Sequence, residues 1–197
     1  LHRVDRRQRQ MCIRDRDTPG HQDFSEDTYR TLMAADSAVM VLDASKGVER
    51  QTRKLFKVCT LRHIPIFTFI NKMDRDARDP YELLEEIENL LGIRTCPMNW
   101  PIGSGKEFKG VYDRGSHKIL LFRANSDSVF EQREIKSTEA DPDDPALLGE
   151  IGERLDAVLR DDVELLDGAG DGLDLAAVRE GKLSPVSVSY THLRAHE

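Results

Sequence analysis

A chain of 197 residues has room for one full domain, or one domain carrying an inserted subdomain, and enough material for a real hydrophobic core. Hydrophobic residues are 39% and charged residues 33%, which excludes a disordered chain. No apolar run approaches the roughly 20 residues that cross a bilayer, so no membrane span is expected.

The net charge of −7 is unevenly spread: residues 1–16 hold six Arg against two Asp, whereas residues 139–174 hold thirteen acids against Arg154 and Arg160. A nucleic-acid binder carries positive charge over its body, so no sequence-specific nucleic-acid binding is expected. Cys12, Cys59 and Cys96 form no C-x-x-C pair. Scattered thiols in odd number argue against a disulfide scaffold or a zinc site and fit a reducing cytoplasm.

In chain order, residues 1–16 show neither a helical nor a strand period and lack the apolar stretch of a targeting peptide. They read as a non-native leader. The turn DTPGHQDFSED then leads into a helix expected over 25–35, followed by SAVMVLDA, an apolar run of the kind buried on both faces of a parallel sheet. A helix over about 49–62 precedes a second buried strand, IFTFI, and NKMDRDARD forms a polar loop at its end. Asp79 as N-cap and Pro80 at the first position open a third helix that Gly92 stops. This alternation predicts an α/β domain with a parallel sheet.

Beyond Thr95 the rhythm changes. The segment NWPIGSGKEFKGVYDRG is Gly-rich, KILLFRAN and SVFEQREI read as an antiparallel pair, and a helix is expected over 145–166. A loop, LDGAGDGLD, and a short helix ending near Gly181 follow. The expected organisation is a core over 17–95, an α+β insertion returning towards the core over 96–186, and a non-native tail over 187–197.

Two loops carry chemistry, both beyond the carboxyl ends of strands, where open α/β sheets bind ligands. In Asp17-Thr18-Pro19-Gly20-His21, the Asp17 carboxylate suits a Mg²⁺ held mostly through water. Gly20 lets a backbone N–H approach a terminal phosphate, and His21 follows within reach of an attacking water. In Asn71-Lys72-Met73-Asp74, a single carboxylate at Asp74 can accept the two adjacent donors of guanine, whereas adenine offers an acceptor at N1 and no amine beside it. Asn71 can tie the loop to its neighbours, and the Lys72 stem can lie along the base face.

DTPGH and NKMD together resemble the GTP-binding domain of translational GTPases. DTPGHQDFSEDTYRTLMAADSAVMVLDASKGVERQTRKL, FINKMDRDARDPYELLEEIENLLGI and NWPIGSGKEFKGVYDR resemble the bacterial peptide chain release factor 3 family, over residues 17–186. The resemblance implies a P-loop GTPase domain followed by β-barrels in a cytoplasmic factor. Such a factor binds GTP or GDP with Mg²⁺ and hydrolyses GTP on the ribosome, helping class I peptide release factors dissociate. By position, Asp17 and Gly20 become the Mg²⁺ and γ-phosphate contacts, with Thr18 and Pro19 completing that turn. His21 becomes the residue that orients the attacking water, and Asn71, Lys72, Met73 and Asp74 become the guanine-reading loop.

The chain departs from the family pattern in having no G-x-x-x-x-G-K-[ST] upstream of Asp17, and CIRDR stands where an apolar central strand belongs. It therefore reads as an internal fragment of the GTP-binding domain, expected to be inactive alone. The rival readings are an elongation factor G-like or ribosome-protection GTPase, which departs from the chain at NWPIG and FKGVY, and a non-catalytic acidic binding module with a degraded G domain.

Other motifs are set aside. Gly103-Ser104-Gly105-Lys106 lacks the flanking P-loop residues, having Trp100 and Glu107 at those positions, and reads as a surface turn. His192 and His196 lack the Glu of a zinc-protease helix. Trp100 is expected to pack in a core, and His63 and His117 to lie on the surface.

Overall fold

The structure is a computed structural model that describes residues 30–32, 34–123, 136–142 and 144–188. The leader, the turn at 17–21, the stretch SVFEQREI, and His192 and His196 lie outside the described residues. The chain divides at Asp36 into two units. In the first, only the end of the expected helix is described: residues 30–32 are helical, and Ala34 N–H bonds the Thr31 carbonyl at 3.1 Å.

In the second unit, strands and helices alternate as the apolar periodicity requires: β1 (Ala38–Asp43), α1 (Arg50–Leu61), β2 (Ile66–Asn71) and α2 (Pro80–Leu91). α2 begins where the Asp79 carboxylate accepts the Tyr81 and Glu82 amides, and it ends at Gly92 in the left-handed conformation. The chain then forms β3 (Arg94–Pro97), leaves this layer, and returns as β8 (Leu183–Val188) between β2 and β3. All pairings in the order β1-β2-β8-β3 are parallel. The fold is α/β, as expected.

One expectation fails in detail. β1 and β2 are not buried on both faces: Val39 and Val41 are 67% and 59% exposed and Phe67 is 41% exposed, while Leu42, Ile66, Thr68 and Ile70 are buried. The register sets Val39 opposite Phe67, so these residues share one face of the sheet and lie exposed on it, whereas the helix Leu175–Arg179 packs on Leu183 and Cys96 farther across. β8 is buried along most of its length although Pro185, which has no N–H, sits within it. The buried Ser184 hydroxyl donates to the Ile66 carbonyl at 2.9 Å and meets the Thr68 hydroxyl at 2.8 Å, supplying a donor beside the proline.

Between β3 and β8 lies an antiparallel sheet in sequential order: β4 (Asn99–Ile102), β5 (Gly110–Asp113), β6 (Lys118–Arg123) and β7 (Lys136–Ala140). Among the described residues the later strand paired to β6 is Lys136–Ala140. The single helix expected over 145–166 is two, α3 (Pro145–Ile151) and α4 (Glu153–Ala169), because Gly152 between them takes φ 83°. A short α5 (Leu175–Arg179), capped by Asp174, leads into β8.

The core of this part joins Trp100, Ile102, Tyr112, Ile119 and Leu121 of the sheet to Leu147, Ile151, Leu155, Leu159 and Leu166 of α3 and α4. Tyr81 and Leu84 of α2 pack against it. Trp100 is the expected core residue, 2% exposed, and its indole N–H donates to Asp162 at 2.9 Å. His117 meets the Tyr112 hydroxyl at 2.9 Å, and His63 takes φ 55° just after α1. Cys59 and Cys96 are free and buried, and burial pushes both thiols above their ordinary pKa, which leaves them unreactive.

Candidate functional site

The carboxyl ends of β1 and β2 bring two loops together. Asp43 and Asn71 stand opposite each other in register at the last pair of the ladder. Ala44 N–H then bonds the Asn71 carbonyl at 2.9 Å, and Arg78 N–H bonds the Ala44 carbonyl at 3.1 Å. The loop after β2 is therefore laced to the turn after β1 at both its ends.

The Asp43 carboxylate organises that turn. One oxygen accepts from Ser45 N–H at 3.0 Å and from the Ser45 hydroxyl at 2.6 Å. The other receives the Lys72 ammonium at 2.6 Å. Burial alone would raise the pKa of Asp43, but Lys72 and Ser45 together hold it down at about 2. Farther along, Glu86 accepts from Val48 N–H at 3.0 Å and pairs with Arg78, so α2 also grips both loops.

Within the loop each residue of N-K-M-D has a distinct placement. The Asn71 side-chain oxygen accepts from Lys72 N–H at 2.8 Å, so Asn71 ties down the next residue of its own loop. Lys72 takes φ 69°, a left-handed turn at the strand end. Its ammonium is fixed on Asp43, which constrains the stem expected to lie along a base. Met73 is fully buried and anchors the loop from below. Asp74 is half-buried, and the Arg75 N–H closes the turn around it onto the Lys72 carbonyl at 3.1 Å. From the other side, Gly105 N–H bonds the Met73 carbonyl at 2.8 Å.

The turn that supplies Gly105 is the G-S-G-K motif. A strand, β4, precedes it, but that strand is antiparallel and runs into a single 3-10 turn, Gly105–Glu107. A phosphate loop needs a parallel strand and a helix there. Asp43, Ser45 and Gly105 were not singled out from the sequence as parts of this site. Only a carboxylate at the end of an apolar strand with Ser two positions on, in DAS, hinted at the first two.

The donor set fits a guanine base. A half-buried carboxylate on a loop whose backbone is bonded to the turn after β1 and to the Gly105 turn can accept two adjacent N–H groups, and pairing Lys72 to Asp43 keeps its charge from a neutral ring. For Mg²⁺ the test is narrower. Asp17, Thr18, Pro19, Gly20 and His21 lie outside the described residues, and among the described residues no group of three or more His, Cys, Asp or Glu could hold a metal. Among the described residues no helix is long and apolar enough to cross a membrane.

The family model of the elongation factor Tu GTP binding domain matches residues 5–183. The chain belongs to that family. It is 58% identical over 170 residues to peptide chain release factor 3 of Symbiobacterium thermophilum, covering 86% of this chain and 32% of the relative. It is 57% identical to peptide chain release factor 3 of Nostoc punctiforme, covering 86% and 31%. The chain thus spans about a third of the length of these curated relatives. A solved structure from Thermus thermophilus, 24% identical, matches with a TM-score of 0.58 over 88% of this chain and 26% of its own, a likeness of fold alone. Family and relatives together make this a domain of the translational GTPase type, similar to release factor 3.

Proposed function

We propose that the chain supplies the guanine-reading part of a ribosome-dependent cytoplasmic GTPase acting in translation termination, where GTP hydrolysis promotes the departure of class I peptide release factors. The observation that carries this reading is the N-K-M-D loop locked beyond the carboxyl end of a parallel strand, with Asp74 half-buried on it. Similarity to release factor 3 favours termination as the step served.

Asp74 accepts N1–H and the exocyclic amine of guanine together. Adenine would leave the carboxylate facing an acceptor, and that unpaired contact supplies the discrimination. Asp17 would hold Mg²⁺, which when bound neutralises charge on the triphosphate. Gly20 offers its backbone N–H to the terminal phosphate. His21 orients the attacking water, a positioning task, because phosphoryl transfer depends on alignment and charge stabilisation more than on proton abstraction.

The test is Asp74→Asn in a full-length release factor 3 that carries the same N-K-M-D segment. Xanthine has a carbonyl where guanine has its amine, so the amide should shift preference from GTP towards xanthosine triphosphate by about a hundredfold, read from competitive binding. Unchanged selectivity would remove Asp74 from the base site.

A further inference from the structure

The G-S-G-K turn has no part in the chemistry above, yet it touches the loop that does. Gly103 and Gly105 take φ 75° and 58°, conformations that suit glycine. Gly105 N–H bonds the Met73 carbonyl at 2.8 Å, and a Cβ at Gly105 would stand 3.1 Å from the Arg75 carbonyl oxygen. This backbone-to-backbone approach therefore flanks Asp74 on both sides in sequence. The turn is itself held by the antiparallel unit. Lys109 N–H bonds the Ile102 carbonyl at 2.9 Å across its base, and Glu107 pairs with Arg154 in the first turn of α4 at 2.6 Å. A second contact of the same helix, Asp162 accepting from the Tyr81 hydroxyl at 3.0 Å, holds the far end of the segment at the start of α2.

We propose that Gly105 is a positioning residue for the base-reading loop, and that the antiparallel unit sets, through this turn, how sharply guanine is distinguished from other bases. The inference rests on the reading of Asp74 given above. A carboxylate that must meet two donors at once tolerates little displacement, on the order of 0.5 Å, and the Met73 carbonyl is the fixed point one residue before it. Pressure on the antiparallel unit is then passed to the base-reading loop through the Gly105–Met73 contact.

Two measurements on Gly105→Ala test this, with Glu107→Ala as a milder variant that leaves the backbone of the turn intact. In this chain without nucleotide, amide exchange over residues 72–78 should quicken about tenfold in Gly105→Ala, with β2 and β6 unchanged. In a full-length release factor 3 carrying both the N-K-M-D and G-S-G-K segments, affinity for guanosine diphosphate should fall about tenfold, while affinity for ribose 5-diphosphate, which has no base, stays constant. Glu107→Ala should move both readouts in the same direction and less. Equal losses for the two ligands, or faster exchange with no base-specific loss, would overturn the selectivity role, and unchanged loop exchange would overturn the latch itself. A wild-type protein with no preference for guanine over adenine nucleotides would instead sink the Asp74 reading, and that result appears before any variant is made.

Discussion

In the parallel sheet the charged groups stand at the strand ends, where Asp43 meets Lys72 at 2.6 Å with the Lys72 side chain 37% exposed. In the antiparallel unit the comparable carboxylate, Asp162, lies against the packed core and takes the Trp100 indole N–H on one oxygen and the Tyr81 hydroxyl on the other. Strand-end groups remain partly hydrated, so they can exchange partners when a ligand arrives. Groups within a core must be fully partnered, and they specify packing. On the function proposed above, the first region binds and the second holds the first in place.

Trp100→Ala breaks that comparison most severely. It removes the largest fully buried side chain and strands the Asp162 oxygen that it satisfied. Stability should fall by about 3–5 kcal/mol in denaturant melts. A loss below about 1 kcal/mol would show that the antiparallel unit does not depend on this residue, and with it the distinction between a holding and a binding region would go.

Acid titration probes the other region. The pKa of Asp43 is depressed to about 2 in the folded state from an ordinary value of 3.8. The unfolded chain therefore binds its proton first, and the stabilisation is complete above about pH 4 and vanishes as pH falls through 2. The shift corresponds to about 2 kcal/mol, with part of it screened by salt because Lys72 is partly open to solvent. Asp43→Asn should flatten the stability curve between pH 4 and 2 relative to the unaltered chain. An unaltered acid limb would mean that the pair at the strand ends contributes nothing to folding.

The parallel part was readable because its signals are local. Asp79 and Pro80 start a helix, Gly92 ends it, and two apolar runs of strand length precede it. β3, β4 and β5 escaped because they are four residues each and carry Pro97, Pro101 or Gly110, which sequence rules treat as strand breakers. In the inner strand β8, Ser184 beside Pro185 offers a hydroxyl to the Ile66 carbonyl, a compensation no local rule anticipates. The site divides the same way. N-K-M-D is a contiguous motif, whereas Asp43 and Gly105 join it through contacts across the fold, and Gly105 belongs to a motif whose letters suggest a different chemistry.

The smallest expected effect lies where the two regions meet. Asp79 is exposed, and its carboxylate accepts the Tyr81 and Glu82 amides at 2.8 and 3.3 Å. Pro80 at the first helical position needs no acceptor, so the cap serves just these two donors. Asp79→Ala should cost about 1 kcal/mol, the ordinary worth of an N-cap. The informative quantity is its coupling to Tyr81→Phe, which removes the hydroxyl held by Asp162. A frayed first turn would already have loosened Tyr81, so the second substitution should cost less in the capless chain, by about 0.5 kcal/mol in a double-mutant cycle. Strict additivity would mean that the start of α2 is fixed by its cap and by the antiparallel unit independently. The segment carrying Asp74 would then answer to that unit through the Gly105 contact and not through Tyr81.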